Sequence, residues 1–213
     1  MSSARLVETK VIDRLEALLC PPVDMVEKQK LGQYKYIPLI LNAFIEQVEL
    51  AARLMRCLTT TKPIKFIDVG CGIGTKVLAA SYVLQSWAQP LDGSVEVYGI
   101  EYSPEYVAVA RSMMSESIDE LGHHRSTAQA NANCIIQGDA LLYDYSPYNL
   151  VYFYCPLDDR KKQIELEERI VSTVQKGAFI LANLTKGPHF NPPMKAKCGA
   201  KVREVARNIW IRL

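Results

Sequence analysis

The sequence predicts an α/β fold: a doubly wound, mostly parallel sheet preceded by an N-terminal helical cap. Three observations lead there. From Ile64 onward, short apolar runs alternate with amphipathic stretches, the pattern of strands buried on both faces and covered by helices. A glycine-rich turn, Gly70-Cys71-Gly72-Ile73-Gly74, directly follows the first of those runs and opens a helix. The chain closes on two short alternating runs with a tight connection, which suit an antiparallel hairpin at the sheet edge.

In chain order, residues 4–19 place Val7, Val11, Leu15, Leu18 and Leu19 three and four apart, a helical period that ends at Cys20-Pro21-Pro22. A second helix follows Pro38, with Leu41, Phe44, Val48, Ala51 and Leu54 on one face, and stops before Thr59-Thr60-Thr61-Lys62-Pro63. These helices form the predicted cap, 1–61, and the remainder, 62–213, forms the second unit. Strands are expected at 64–69, 95–101, 133–138, 149–155 and 178–183, and the hairpin runs at 201–206 and 208–213 bring the total to seven. Ser103-Pro104-Glu105 is a helix start, with an N-cap serine and proline at the first helical position. Val107, Ala110, Met114, Ile118 and Leu121 supply that helix's buried stripe. Asp158 and Asp159 open a charged helix carrying Leu166, Ile170 and Val174, which Lys176-Gly177 closes.

Composition narrows the function classes. Of 213 residues, 49% are hydrophobic and 23% charged, an ordinary globular balance with ample material for a core. A formal charge of +2 gives no clear nucleic-acid signal. The six cysteines are scattered without a CxxC pair or histidines at ligand spacing, so neither metal nor disulfide framework is expected, and a reducing cytoplasm fits best. No run approaches the roughly 18 apolar residues of a membrane span, and the first residues lack the apolar stretch of a signal peptide. Nothing in the sequence sets an oligomeric state.

The chemistry is concentrated at strand ends. A glycine turn between strand and helix lets backbone approach a ligand and points helix N-terminal amides at a negative group; Gly70, Gly72 and Gly74 stand there. Asp68, at the end of the first strand, suits a cationic ligand, or else caps the turn. Glu101 ends the second strand, where a carboxylate can take two ribose hydroxyls, and Tyr102 beside it suits either an adenine ring or the surface. Asp139 ends the third strand and can accept from an exocyclic amine while the Ala140 amide donates to the ring. Three acids at three successive strand ends, with a glycine turn after the first, describe one nucleoside-binding edge.

Asp68-Val69-Gly70-Cys71-Gly72-Ile73-Gly74, Glu101 and Gly138-Asp139-Ala140 resemble the first three cofactor motifs of class I S-adenosylmethionine-dependent methyltransferases, over roughly residues 64–183. The resemblance implies the Rossmann-like methyltransferase fold. It also implies S-adenosylmethionine as cofactor, with the methionine end on Gly70 and Gly72, ribose on Glu101 and adenine on Asp139. The fourth strand exits as Tyr152-Phe153-Tyr154-Cys155-Pro156, the acceptor side of that family, without the Asn/Asp-Pro-Pro-aromatic motif of its amide and DNA-amine members; Asn191-Pro192-Pro193 reads as a loop.

Tyr34-Lys35-Tyr36-Ile37-Pro38, the charged helix after the fourth strand and a loop after the fifth are similar to small protein-lysine methyltransferases, the ATP-synthase c-subunit enzymes and the histone enzymes lacking a SET domain. This likeness implies that Tyr36 closes over the cofactor. Tyr36 and Tyr154 are therefore the expected acceptor-side residues of a metal-independent, in-line methyl transfer. Tyr152 joins them in an aromatic entrance that would favour an uncharged lysine, while a small metabolite is the alternative acceptor. Two rivals stand beside this reading: a module that binds the cofactor without turnover, and an NAD-linked oxidoreductase, against which Asp68 and Asp139 argue.

Overall fold

The computed structural model describes residues 41–58, 63–88, 95–121, 134–154, 156–157, 159–182 and 201–213. The first predicted helix, Tyr36 and the loop at 184–200 lie outside them. The elements are α1 (Leu41–Leu58), β1 (Ile64–Val69), α2 (Thr75–Ala88), β2 (Val95–Glu101), α3 (Pro104–Leu121), β3 (Ile135–Gln137), β4 (Leu150–Phe153), α4 (Arg160–Thr173), β5 (Phe179–Ala182), β6 (Val202–Ala206) and β7 (Ile209–Arg212).

The seven strands form one sheet in the order β3-β2-β1-β4-β5-β7-β6. The β1, β2, β3, β4 and β5 pairings are parallel, while β7 runs antiparallel to both β5 and β6. Strand alternation sorts side chains onto two faces. Phe66, Tyr152, Phe179 and Leu181 face a layer built by α1, α2 and α3, with Phe44, Val48, Val77, Leu84, Val107 and Ala110 buried against them. Ile67, Val69, Val151, Phe153 and Ile180 face α4, whose Leu166, Ile170 and Val171 cover them.

β1 and β2 have the bounds their apolar runs predict, whereas β3, β4 and β5 are shorter. At the base of β4, the Asn149 side chain accepts from Lys65 N–H and donates to the Pro63 carbonyl, both at 2.8 Å, a side-chain stitch beside the backbone bond from Asn149 N–H to the Lys65 carbonyl. Ser103 starts α3 as expected, accepting from Tyr106 N–H through Oγ and from Val107 N–H through its carbonyl. Asp159 caps α4 by accepting from Lys161 and Lys162 N–H at 2.7 and 3.1 Å, which hold its carboxyl below the ordinary value. The hairpin turns at Asn208, whose φ of +60° is one that asparagine tolerates better than most residues.

α1, the second helix of the predicted cap, packs into the same core as the sheet. Phe44 is fully buried and meets the Tyr152 ring edge-on at 4.8 Å, burial worth roughly 1.5–3 kcal/mol for a side chain of this size. Gln47 donates to the Asn208 carbonyl at 3.1 Å and so ties α1 to the hairpin turn. Among the described residues, no helix is long and apolar enough to cross a membrane, and no group of His, Cys, Asp and Glu is placed to hold a metal ion.

Candidate functional site

The strand order reverses at β1: the chain proceeds outward through β2 and β3 on one side and through β4 and β5 on the other. Ligands of open α/β sheets sit in the crevice at the carboxyl ends of the strands at such a reversal. The predicted acids and glycines converge there, because each ends β1, β2 or β3, which are neighbours in parallel register.

The glycine turn is anchored to β2. Gly70 and Cys71 N–H both donate to the Ile100 carbonyl, at 2.9 and 3.0 Å. Gly70, Gly72 and Gly74 all have positive φ, at 75°, 55° and 86°. At Gly70 conformation and space agree, since a Cβ would collide with the Pro156 side chain at the exit of β4. At Gly72 nothing lies within 4 Å of a Cβ position, so the turn presents bare backbone toward open space.

The acids of β2 and β3 are held by their own loops. Glu101 accepts from Gly72 N–H through Oε2 and from Ser103 N–H through Oε1, both at 2.9 Å. One carboxylate thus braces the glycine turn and the start of α3 together, with further acceptor capacity on each oxygen for hydroxyl donors. Asp139 is exposed and accepts from Leu141 N–H through Oδ1 at 2.9 Å. Its loop is pinned from below. The Tyr145 hydroxyl donates to the Ala140 carbonyl at 2.8 Å, and Arg169 of α4 donates to the carbonyls of Leu142 and Tyr143, both at 3.0 Å. Tyr102 is 62% exposed beside this edge.

Asp68 is different. It is fully buried, and neither carboxylate oxygen has a hydrogen-bond partner; the Thr75 hydroxyl, buried in the first turn of α2, has none either. Burial pushes the Asp68 carboxyl from an ordinary 3.8 up to about 6, with the Lys76 ammonium drawing it down and the Glu101 carboxylate pushing it up. Asp68 pairs in register with Gly99 on β2 and Tyr152 on β4, which places it on the face of the sheet covered by α2. Burial also drives the Cys71 thiol well up, assisted by Asp68 and Glu101, so this cysteine is an unreactive packing residue.

The structure is similar to magnesium protoporphyrin IX methyltransferase from Synechocystis PCC 6803, solved with bound S-adenosylmethionine, with a TM-score of 0.53 and 10% identity over 90% of this chain and 92% of that one. The chain has the class I methyltransferase fold. Likenesses of lower score include an amino pentose methyltransferase from Micromonospora echinaspora (TM-score 0.44, 16% identity, 75% of this chain and 62% of that one). A glycopeptide N-methyltransferase scores 0.43 at 15% identity over 66% of this chain and 55% of that one. The chain spans less than two thirds of the length of these last two. No family model and no curated protein matches the sequence.

Within this methyltransferase fold, the aromatic side of the crevice departs from expectation. Tyr154, just past β4, is half-buried, but Tyr152 is fully buried and is no part of an entrance. The parallel register with β1 turns Tyr152 toward Phe44, so α1 claims the ring. Lys76, which the sequence reading passed over, occupies the position instead. Its ammonium lies 5.0 Å from the Tyr152 ring centroid and 5.4 Å from that of Tyr154. A signal for it was present: a cation in the first turn of a helix opposes the helix dipole, and α2 has no acid in that turn to offset it.

Proposed function

We propose that the chain is an S-adenosylmethionine-dependent methyltransferase. The observation that carries this reading is the buried, unpartnered Asp68 carboxylate beneath a glycine turn with open space above Gly72, set beside two more acids at the ends of β2 and β3. The residues fit that cofactor. An orphaned buried carboxylate favours a ligand that brings positive charge, and the cofactor carries an ammonium and a sulfonium. The Gly70, Gly72 and Gly74 backbone takes the methionine end, Glu101 the ribose, Asp139 and the Ala140 amide the adenine, with Tyr102 at the ring's edge. Tyr154 lines the acceptor side.

The cofactor supplies the activated methyl group, and the protein's task is to align an acceptor with it and keep the attacking atom unprotonated. Of the two acceptor classes, we favour a small metabolite over a protein lysine. An aromatic entrance suited to a lysine loses Tyr152 to the core, and the similar structure from Synechocystis is by its name an enzyme of a small molecule, magnesium protoporphyrin IX. Titration calorimetry with adenosylhomocysteine and with NAD tests the cofactor; binding of NAD alone overturns the reading. Incubation with methyl-labelled S-adenosylmethionine and a cell extract tests the acceptor, and label retained on denatured protein would restore the lysine. Cofactor binding without any label transfer would leave the non-catalytic module.

A further inference from the structure

The helices that open at the crevice differ in the charge of their first turns. α3, on the nucleoside side, starts as a helix dipole favours, with Glu105 in its first turn. α2 and α4 start against it. Neither has an acid in that turn; α2 carries Lys76 there, and α4 carries Arg160, Lys161 and Lys162 in succession. The three α4 cations are exposed, and among the described residues none of them is in an ion pair. Nor do their charges hold the helix start, because Asp159 caps it through the backbone amides of Lys161 and Lys162.

Their place in the helix sets what they cover. Helical side chains lean toward the N-terminus, so cations in the first turn of α4 overhang the segment before it, the exit of β4. That exit belongs to the crevice. Pro156 closely approaches Gly70 of the glycine turn, and Leu157 N–H donates to the side chain of Gln163, which shares a helical face with Arg160. Lys76 adds a cation from the opposite face of the sheet, 5.4 Å from the ring centroid of Tyr154. The carboxylates on this side are Asp158 and Asp159 in the connection and Asp68, which is sealed within the sheet. The nucleoside side presents the opposite sign in Glu101, Glu105 and Asp139.

We propose that the methyl acceptor is a small metabolite bearing an anionic group, a carboxylate or phosphate, which Arg160, Lys161 and Lys162 draw to the β4 exit. This rests on the function proposed above and narrows its acceptor class. The three cations are steering and positioning residues. A cationic rim raises the local concentration of an anion and speeds its arrival, an effect that bulk salt screens, and it disfavours a protonated amine at the same place.

The test uses a small-molecule cell extract split by anion exchange, before any reaction, into a retained anionic pool and a flow-through of neutral and cationic compounds. Each pool is incubated with methyl-labelled S-adenosylmethionine and the wild-type protein. Label is expected mainly in the retained pool, at a rate that falls as sodium chloride is raised. Arg160→Gln/Lys161→Gln/Lys162→Gln should lower that rate about tenfold at low salt, lose most of the salt dependence, and recover when more of the pool is added. Its affinity for adenosylhomocysteine should stay at the wild-type level. Its thermal unfolding midpoint should not fall, since the helix dipole disfavours the cations removed. A control for net charge, Lys176→Gln/Lys201→Gln/Arg203→Gln, takes exposed cations from the opposite end of the sheet and should behave as the wild type. As much label in the flow-through pool as in the retained one overturns the inference. So does an α4 variant that transfers like the wild type, or a control that loses as much. Label in neither pool overturns it too, and a wild-type protein that does not bind adenosylhomocysteine fails the proposed function itself, a different result.

Discussion

The two halves of the crevice solve the same problem in opposite ways. On the β2–β3 side, Glu101 and Asp139 are satisfied by backbone amides of their own loops, and Arg169 and Tyr145 hold the Asp139 loop from beneath. That half is preorganised: its acids are in place before a ligand arrives, and ordering costs little. On the β1–β4 side, Asp68 and Thr75 are buried without partners and Lys76 projects over aromatic rings. That half carries a cost while the ligand is absent, since an unpartnered buried polar group destabilises the fold by about 1–3 kcal/mol, and a charged one by more. The satisfied half is compatible with plain loop capping; the unsatisfied half is where the physical case for a ligand is made.

Four substitutions break or sharpen that contrast. The largest effect is expected from Gly70→Ala, because the new Cβ must adopt φ near +75° and enter space held by Pro156. The left-handed conformation alone costs about 1–2 kcal/mol and the overlap adds a further 1–3 kcal/mol, so chemical denaturation should show a loss of about 2–5 kcal/mol. A loss below about 1 kcal/mol would mean that the two loops separate easily.

Asp68→Asn comes next, and its sign distinguishes the halves. The Asp68 carboxyl protonates near pH 6 in the folded protein but near 3.8 in the unfolded chain, so the folded state binds more protons between those values. Stability of the ligand-free protein should therefore fall as pH rises from about 4 to about 6, and level off above, by up to about 3 kcal/mol. Asp68→Asn removes that slope. At pH 7 the variant should be more stable than the wild type and bind adenosylhomocysteine more weakly. A variant that is less stable at pH 7 would show that Asp68 has a structural partner.

The smallest effects belong to the preorganised half. Glu101→Ala should weaken adenosylhomocysteine by about 1–3 kcal/mol, because ribose loses an acceptor and Gly72 N–H loses its brace. Asp139→Ala should cost about 1 kcal/mol, being an exposed acid that competes with water for its ligand. Unchanged calorimetric affinity in both variants would reduce these acids to loop caps.

Much of this site was legible in the chain. β1 and β2 emerge with the bounds of their apolar runs, and the glycine turn falls where strand periodicity gives way to helical. Asp159 and Ser103 cap the helices they precede, because capping is a local interaction and local interactions leave local signatures. What escaped depended on tertiary pairing. In a continuous apolar run such as Leu150-Val151-Tyr152-Phe153, nothing in the letters says which face each residue takes; only pairing of β4 with β1, and the arrival of Phe44 from α1, turn Tyr152 inward. Lys76 offers only the faint signal of a cation in a first helical turn until the fold brings β4 beneath it. The unpaired state of Asp68 is a property of its surroundings, which no residue announces by itself.

The close approach of Gly70 and Pro156 joins the two halves of the crevice. The glycine turn and the β4 exit meet where a single methyl group would not fit. Leu157, one residue further on, is tethered to α4 through Gln163, and α4 also carries the Arg169 that pins the Asp139 loop. Both edges of the crevice are thus fastened to one helix, so a displacement of α4 would be felt at the β4 exit and at the Asp139 loop together.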